Sequence, residues 1–173
     1  MAKRRRSVQP HLVCPALRRR LSIMIWGCVC YHGIGTMTDV IGNINAQKYI
    51  DIVDNNLWAV IARHFGNNDY IFQQDNAPVH TARLAQNYFT ENNIKTTTWP
   101  AYSPDVNIIE NIWLHMKRLL QHRVTHIHSR DQLLREIRDI WENISIDYVR
   151  SLYATIPARL KEVQRMKGHL TKY

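Results

Sequence analysis

The decapeptide QQDNAPVHTA (73–82) decides how the rest of the chain is interpreted, because it places a carboxylate directly behind an apolar stretch. The residues before it, Tyr-Ile-Phe at 70–72, predict a buried strand that continues to about residue 74. A carboxylate at the inner end of a core strand is costly to bury unless it is paired or binds a metal ion. Ordinary loops also contain Asp-Asn pairs, so the meaning of Asp75 depends on whether a second carboxylate reaches the same place.

The composition is that of an ordinary soluble domain. The chain has 173 residues, of which 45% are hydrophobic and 21% are charged, enough for one domain with a sizeable core. No apolar run reaches the length needed to span a membrane, so we expect no membrane partner. The three cysteines, Cys14, Cys28 and Cys30, give no disulfide framework and favour a reducing, intracellular compartment.

Three histidines close together in HRVTHIH suggest a zinc site, but the pattern is weak. A structural zinc ion needs about four ligands at regular spacing, and no cysteine lies near these residues. We therefore interpret them as solvated or phosphate-facing side chains; they are His122, His126 and His128.

The formal charge of +9 is concentrated at the beginning of the chain. Residues 1–20 contain no acid and seven basic residues, whereas the other 16 basic and 14 acidic residues nearly balance. We predict that residues 1–20 form a disordered basic arm and that 21–173 form the domain. Such an arm suits phosphate backbones or nuclear import, a solvated tail is the alternative, and Pro10 and Pro15 disfavour a mitochondrial presequence. The candidate nucleic-acid-binding residues are Lys3, Arg4, Arg5, Arg6, Arg18, Arg19 and Arg20.

Strands and helices alternate along the domain, which predicts an α/β layer structure with a partly parallel sheet. Apolar periodicity predicts strands at 21–31, 36–41, 70–74 and 94–99, and helices at 45–64, 81–92 and 108–121. Ser129 and Gln132 have the spacing of a capping box at the start of a further helix, and Pro157 is placed to restart a helix near the end.

A second carboxylate follows in YSPDVNIIENIW (102–113). A helix is predicted to begin near Asn107, which puts Glu110 in its first turn. Simple capping, with Asn107 as the N-cap and Glu110 at N3, explains this pattern. Alternatively, Asp75 and Glu110 meet at the carboxyl edge of the sheet, where two hard oxygen donors suit Mg²⁺ or Mn²⁺ and phosphate chemistry.

The two carboxylate blocks resemble the DDE catalytic domain of Tc/mariner transposases. QQDNAPVHTA and SPDVNIIENIW, with 34 residues between Asp75 and Glu110, carry the resemblance, together with IMIWGC (23–28) and IPARLKEVQRMKGHLTKY (156–173). The resemblance implies an RNase H-like fold with C-terminal helices and Mg²⁺-dependent cutting and joining of DNA in the nucleus. It makes Asp75 and Glu110 the second and third metal-binding acids. Asn76 and His80 match the motif too, and either a structural, supporting role or a catalytic role is open for them.

Two departures from the family pattern affect the expected function. Ile108 replaces the proline common in SPDxNP, which a helix tolerates. The first acid lies in the family on a strand before the WGC strand, but no acid precedes Asp39 here. We therefore expect a sheet without its first strand, in which the WGC hairpin and the Asp75 strand either adjoin differently or leave a gap, and a tendency to self-associate. Two functions remain open: a transposase-derived endonuclease with impaired activity, and a non-enzymatic, transposon-derived nucleic-acid-binding protein.

Overall fold

A computed structural model describes residues 11–14, 21–97, 106–123 and 127–166, and these contain a small sheet flanked by helices. The strands are β1 (His11–Cys14), β2 (Leu21–Cys30) and β3 (Gly33–Val40). Both pairings are antiparallel, in the order β1-β2-β3. Residues 11–14 thus form a strand where the sequence predicted a disordered arm. This strand, HLVC, pairs only with Leu21–Met24 and contains no acid.

Alternation along β2 divides the core into two layers. Ile23 and Ile25 belong to a cluster with residues of the last three helices, whereas Trp26 belongs to a second cluster with the first long helix. Successive residues of a strand point to opposite faces, so a strand that is apolar at nearly every position is covered on both sides. β2 is therefore the central element of a helix–sheet–helix arrangement.

A bulge interrupts the β2–β3 ladder beside Cys28. Gly27 pairs with Met37 and Val29 pairs with Ile34, so two residues of β3 lie opposite one residue of β2. The indole nitrogen of Trp141 donates a hydrogen bond to the carbonyl oxygen of Gly35, one of these two residues of β3, at 3.0 Å. The helix that contains Trp141 thus satisfies the backbone carbonyl group of Gly35 in the bulge.

The helices are α1 (Ala46–His64), α2 (Pro78–Thr81), α3 (Arg83–Glu91), α4 (Ile109–Gln121), α5 (Arg130–Glu142) and α6 (Ile146–Arg165). Asn45 caps α1, since its side chain accepts a hydrogen bond from the amide of Lys48 at 2.8 Å. The capping box predicted at Ser129 and Gln132 is confirmed at the start of α5. No helix in the described part of the chain is long and apolar enough to span a membrane.

Five predicted features differ in the structure. Residues 70–74 and 94–99 contribute one parallel bridge, between Phe72 and Thr96, instead of two strands, and residues 98–99 lie outside the described part. The helix predicted at 81–92 is divided at Ala82 into α2 and α3. Pro157 lies inside α6 and does not restart a helix. Glu110 is the second residue of α4 because Ile108, and not Asn107, is the N-cap.

Candidate active site

A cavity of about 670 Å³ lies between β2, α1, the segment 70–75 and the beginning of α4. Asp75 and Glu110 both line it, together with His80 and Asn107. Asp75 ends the segment that bridges to Thr96, and Glu110 lies in the first turn of α4. The structure therefore brings the two sequence-predicted acids to one cavity.

Two donors converge on one oxygen of Asp75. The backbone amide of Ala77 donates to Oδ1 at 2.9 Å, and Nδ1 of His80 lies 2.6 Å from the same oxygen. Burial opposes ionisation of Asp75, but the hydrogen bonds from His80 and Ala77 outweigh it and hold the pKa of this carboxyl below its usual value. Asp75 is therefore an ionised carboxylate at neutral pH.

His80 is held in place by its surroundings. His80 is only 8% exposed. The centroid of its ring lies 4.2 Å from the centroid of the Tyr49 ring in α1. The side-chain amide of Gln86 donates to the backbone carbonyl of His80 at 2.9 Å, and the Tyr49 hydroxyl bonds to the side chain of Gln74. A buried imidazole fixed on this side orients the Asp75 carboxylate toward the cavity. Asn76, the other supporting residue expected from the sequence, is exposed next to it.

Glu110 has the opposite electrostatic environment. Partial desolvation raises the pKa of its carboxyl, the negative charge of Asp75 raises it further, and Lys117 offsets part of the increase. The capping predicted for Asn107 is present only in part, because its side chain accepts from the amide of Ile109 at a long 3.4 Å. Two carboxyl groups that repel each other across a cavity form a site whose charge a cation would neutralise.

A buried arginine that the sequence analysis missed supports the beginning of α4. Arg159 of α6 is 4% exposed, and its guanidinium donates to the side-chain oxygen of Asn111 at 2.8 Å and to the hydroxyl of Thr155 at 2.7 Å. The hydroxyl of Tyr148 donates to the backbone carbonyl of Asn111 at 3.3 Å. Because Asn111 follows Glu110, α6 holds the residue next to the second acid. The available signal was an arginine at a helical spacing from buried Leu152.

The remaining candidate residues lie elsewhere. Asp39 on β3 is paired with Arg130 and Arg138 of α5, at 2.8 and 3.4 Å, so it is not part of the cavity. Within residues 21–97, 106–123 and 127–166, no group of three or more His, Cys, Asp or Glu side chains could hold a metal ion, which includes His122 and His128. His126 and the seven basic residues of the predicted arm lie outside the described part of the chain.

Comparisons with known proteins agree with this architecture. Residues 8–134 match the family described as DDE superfamily endonuclease. The Tcb1 transposase of Caenorhabditis briggsae is 30% identical over 165 residues, which are 95% of this chain and 59% of that protein. The Tc3 transposase of Caenorhabditis elegans is 30% identical over 152 residues, which are 88% of this chain and 46% of the relative. The chain thus spans about half the length of these curated relatives.

Solved structures establish the fold. The Mos1 mariner paired-end complex with Mn superposes with a TM-score of 0.79 at 19% identity, covering 92% of this chain and 48% of the other. The Mos1 transposase catalytic domain with Raltegravir and Mn gives a TM-score of 0.73 at 19% identity, covering 87% and 78%. The RNase H-like fold expected from the sequence is confirmed. The chain therefore belongs to the family of DDE superfamily endonucleases.

Proposed function

We propose that this chain is a transposase-derived domain that acts on DNA phosphodiester bonds, binds a divalent cation weakly through Asp75 and Glu110, and is impaired in strand cleavage. The observation that carries the proposal is the arrangement of these two carboxyl groups, which line one cavity. Partial desolvation, and after it the negative charge of Asp75, raises the pKa of Glu110. Asp75 and Glu110 would be the metal ligands and the catalytic acids, and His80 would orient Asp75.

The residues present fit a hard divalent cation. Carboxylate oxygens are the donors preferred by Mg²⁺ and Mn²⁺, and a cation between Asp75 and Glu110 would remove their mutual repulsion. The Mos1 catalytic domain has been solved with Mg and with Mn, which supports the same choice of metal here. When bound, such a cation would stabilise negative charge on phosphate oxygens during hydrolysis or strand transfer.

The proposed impairment is supported by the acids that line the cavity, Asp75 and Glu110, which correspond only to the second and third acids of the family pattern. No Asp or Glu occurs in residues 1–38, so β1 and β2 contribute no carboxylate to the cavity. Asp39 does not substitute for one because Arg130 and Arg138 bind it on α5. Two acids can hold one ion, but they define poorly the two-metal geometry that in-line attack on a phosphodiester requires.

DNA is the proposed macromolecular partner, and the nucleus is the proposed location. Residues 1–20 contain seven basic residues and no acid. These charges attract DNA phosphates whatever the base sequence. Solved Mos1 relatives are described as paired-end complexes, which supports self-association on DNA as a proposal for this chain. The same concentration of charge favours the second candidate function, a transposon-derived nucleic-acid-binding protein without enzymatic activity.

Calorimetric and electron paramagnetic resonance titration with Mn²⁺ tests the metal proposal. We expect weak binding that strengthens as pH rises, because the metal competes with protons, and loss of this binding in Asp75→Ala and Glu110→Ala. Asp51→Ala is the matched control, since Asp51 is an exposed carboxylate of α1 away from the cavity. Equal Mn²⁺ binding by Asp75→Ala and the unmodified chain would refute the assignment. Mn²⁺-dependent nicking of a supercoiled plasmid above background, abolished in Glu110→Ala, would refute the proposed impairment.

Salt dependence of duplex binding separates the role of the basic residues from that of the cavity. If all seven cations contact phosphates, the slope of log affinity against log salt approaches about −6. Because residues 11–14 form β1, substitution of the six arginines by glutamine is preferable to deletion of the arm. We expect the substituted chain to lose most of the affinity and of the slope while keeping its Mn²⁺ binding. Unchanged affinity would show that DNA binds elsewhere.

A further inference from the structure

The first turn of α4, which carries Glu110, has no strong cap of its own. Its N-cap is Ile108, whose side chain makes no capping hydrogen bond, and the Asn107 side chain reaches the amide of Ile109 only at 3.4 Å. The amides of residues 110–112 bond to carbonyl groups three or four positions earlier at 3.2, 3.1 and 3.4 Å. These distances exceed the usual 2.9–3.0 Å of a backbone hydrogen bond, so the turn is weakly held from within.

A repulsive charge acts on the same turn. Glu110 and the ionised Asp75 line one cavity, and the negative charge of Asp75 opposes ionisation of Glu110. Without a bound cation, this repulsion favours movement of Glu110 away from Asp75. A turn that is weakly held from within therefore needs a restraint from a neighbouring element to keep the two carboxyl groups together.

Helix α6 supplies a restraint on the other side of the turn. Residues 107–110 and Trp113 line the cavity, whereas Asn111 contacts α6. The guanidinium of Arg159 donates to the side-chain oxygen of Asn111 at 2.8 Å, and the hydroxyl of Tyr148 donates to its backbone carbonyl at 3.3 Å. The residue next to Glu110 is thus held at both its side chain and its backbone.

The two donors on α6 are themselves fixed. Arg159 is 4% exposed, and its Nε donates to the hydroxyl of Thr155 at 2.7 Å, which in turn donates to the carbonyl of Leu152 at 2.6 Å. The ring of Tyr148 lies 4.6 Å, between centroids, from the ring of His115 in α4. A buried, hydrogen-bonded charge often adds nothing to stability compared with a well-packed apolar side chain. The arrangement therefore favours a role for Arg159 in the geometry of the site.

We propose that Arg159 is a positioning residue for Glu110, which it holds near Asp75 through its hydrogen bond to Asn111. The inference rests on the proposed binding of a divalent cation by these two acids. Residues that orient metal ligands from behind typically change metal affinity by about 10–100-fold when they are substituted. The neighbouring charges that shift the pKa of Glu110 are those of Asp75 and Lys117, so Arg159 acts through the hydrogen bond and not through its own charge.

A double-mutant cycle with Mn²⁺ as the probe tests the proposal on the full chain. We expect Arg159→Met and Asn111→Leu each to bind Mn²⁺ about tenfold more weakly in an electron paramagnetic resonance titration. The double variant should also lose about tenfold, because both substitutions remove the same hydrogen bond. Val149→Ala is the control: Val149 is a fully buried residue of α6, and its truncation should leave Mn²⁺ affinity within about twofold. Unchanged affinity of Arg159→Met, a hundredfold loss in the double variant, or an equal loss in Val149→Ala overturns the proposal.

Two milder variants decide the question if Arg159→Met does not fold. Asn111→Leu keeps the size of a half-buried side chain, and Tyr148→Phe removes one hydroxyl group. We expect a tenfold loss of Mn²⁺ affinity in the first and about a twofold loss in the second, since the Tyr148 hydrogen bond is the longer one. Unmodified affinity in Asn111→Leu contradicts the positioning role.

Hydrogen exchange without metal separates this inference from the proposed function. If the unmodified chain does not bind Mn²⁺, the metal assignment fails, but the restraint on α4 can still be measured. After correction for intrinsic rates, the amides of Glu110 and Ile112 should exchange about tenfold faster in Asn111→Leu, while the amide of Leu120 at the other end of α4 is unchanged. Equal protection of Glu110 and Ile112 in the two chains shows that α6 does not hold the turn, and it overturns the inference even where Mn²⁺ binds.

Discussion

Substitution of Gly27 by alanine should destabilise the protein through a clash with two tryptophan rings. A Cβ atom at Gly27 would lie 2.9 Å from the Cη2 atoms of both Trp113 and Trp141. Non-bonded carbon atoms prefer about 3.5–4.0 Å, so the rings or the strand must move by about 0.6–1.1 Å. Neither ring moves easily, because both are 3% exposed and they stack with centroids 5.4 Å apart. Trp141 is also hydrogen-bonded to Gly35.

Overpacking of this kind costs about 1–3 kcal/mol, and removing glycine from a strand regains about 0.5–1 kcal/mol. The expected net loss of unfolding free energy is therefore centred on about 1.2 kcal/mol, within a range of about 0–2.5 kcal/mol, or about 0.6 M in the urea midpoint at a slope of about 2 kcal/mol/M. Far-UV circular dichroism measures it without dependence on tryptophan emission. The double variant Gly27→Ala/Trp113→Phe removes one clashing ring atom and should lose less than the sum of the single variants. An unchanged midpoint for Gly27→Ala, or strict additivity, would refute the reasoning.

Two further predictions concern the carboxylates. Glu110→Gln should raise the unfolding free energy of the metal-free chain by up to about 0.5 kcal/mol at pH 7, because it removes the repulsion with Asp75, and should abolish Mn²⁺ binding. Asp39→Asn should lower the unfolding free energy by about 1–2 kcal/mol, since Asp39 is the common partner of Arg130 and Arg138, although both arginines are partly screened by solvent. Urea titrations measure both changes.

The pH dependence of the change in unfolding free energy is the control for each of these two variants. The folded pKa of Glu110 is raised, so the penalty is absent below the ordinary value near 4.3 and develops as pH rises through the folded value. The advantage of Glu110→Gln must therefore disappear in acid. The pKa of Asp39 is lowered, chiefly by its hydrogen bond to Arg130. Its contribution is complete above the ordinary value near 3.9 and is lost as pH falls through the folded value. A pH-independent difference for either variant would contradict the assigned cause.

Local chemistry could be predicted from the sequence more reliably than long-range pairing. The capping box at Ser129 and Gln132 depends on residues within one helical turn, and it is confirmed. Asp75 and Glu110 were found from short motifs, and they line one cavity; their role as ligands stays a prediction. The strands predicted at 70–74 and 94–99 are reduced to one bridge because a strand also requires neighbours on its edges.

Three other features of the structure were also not predicted from the sequence. Arg159 contacts Asn111, which is 48 positions away, and no spacing rule connects two such residues. Pro157 remains inside α6 because buried residues on both sides of it, among them Leu152 and Arg159, keep the helix continuous against the core. β1 was missed because its four residues lie between two proline-containing, arginine-rich stretches that predict disorder.

The stacked indoles over Gly27 give this protein an intrinsic optical reporter. Trp113 and Trp141 belong to α4 and α5, and their planes are inclined by only 23° at a centroid distance of 5.4 Å. Two identical chromophores at this separation interact as one excitonic system, and their circular dichroism depends on their mutual orientation. If the tryptophan signal is lost while the far-UV circular dichroism of the helices is retained, the helices persist but no longer dock on the sheet. The docking of α4 and α5 on β2 can thus be followed in the unlabelled chain.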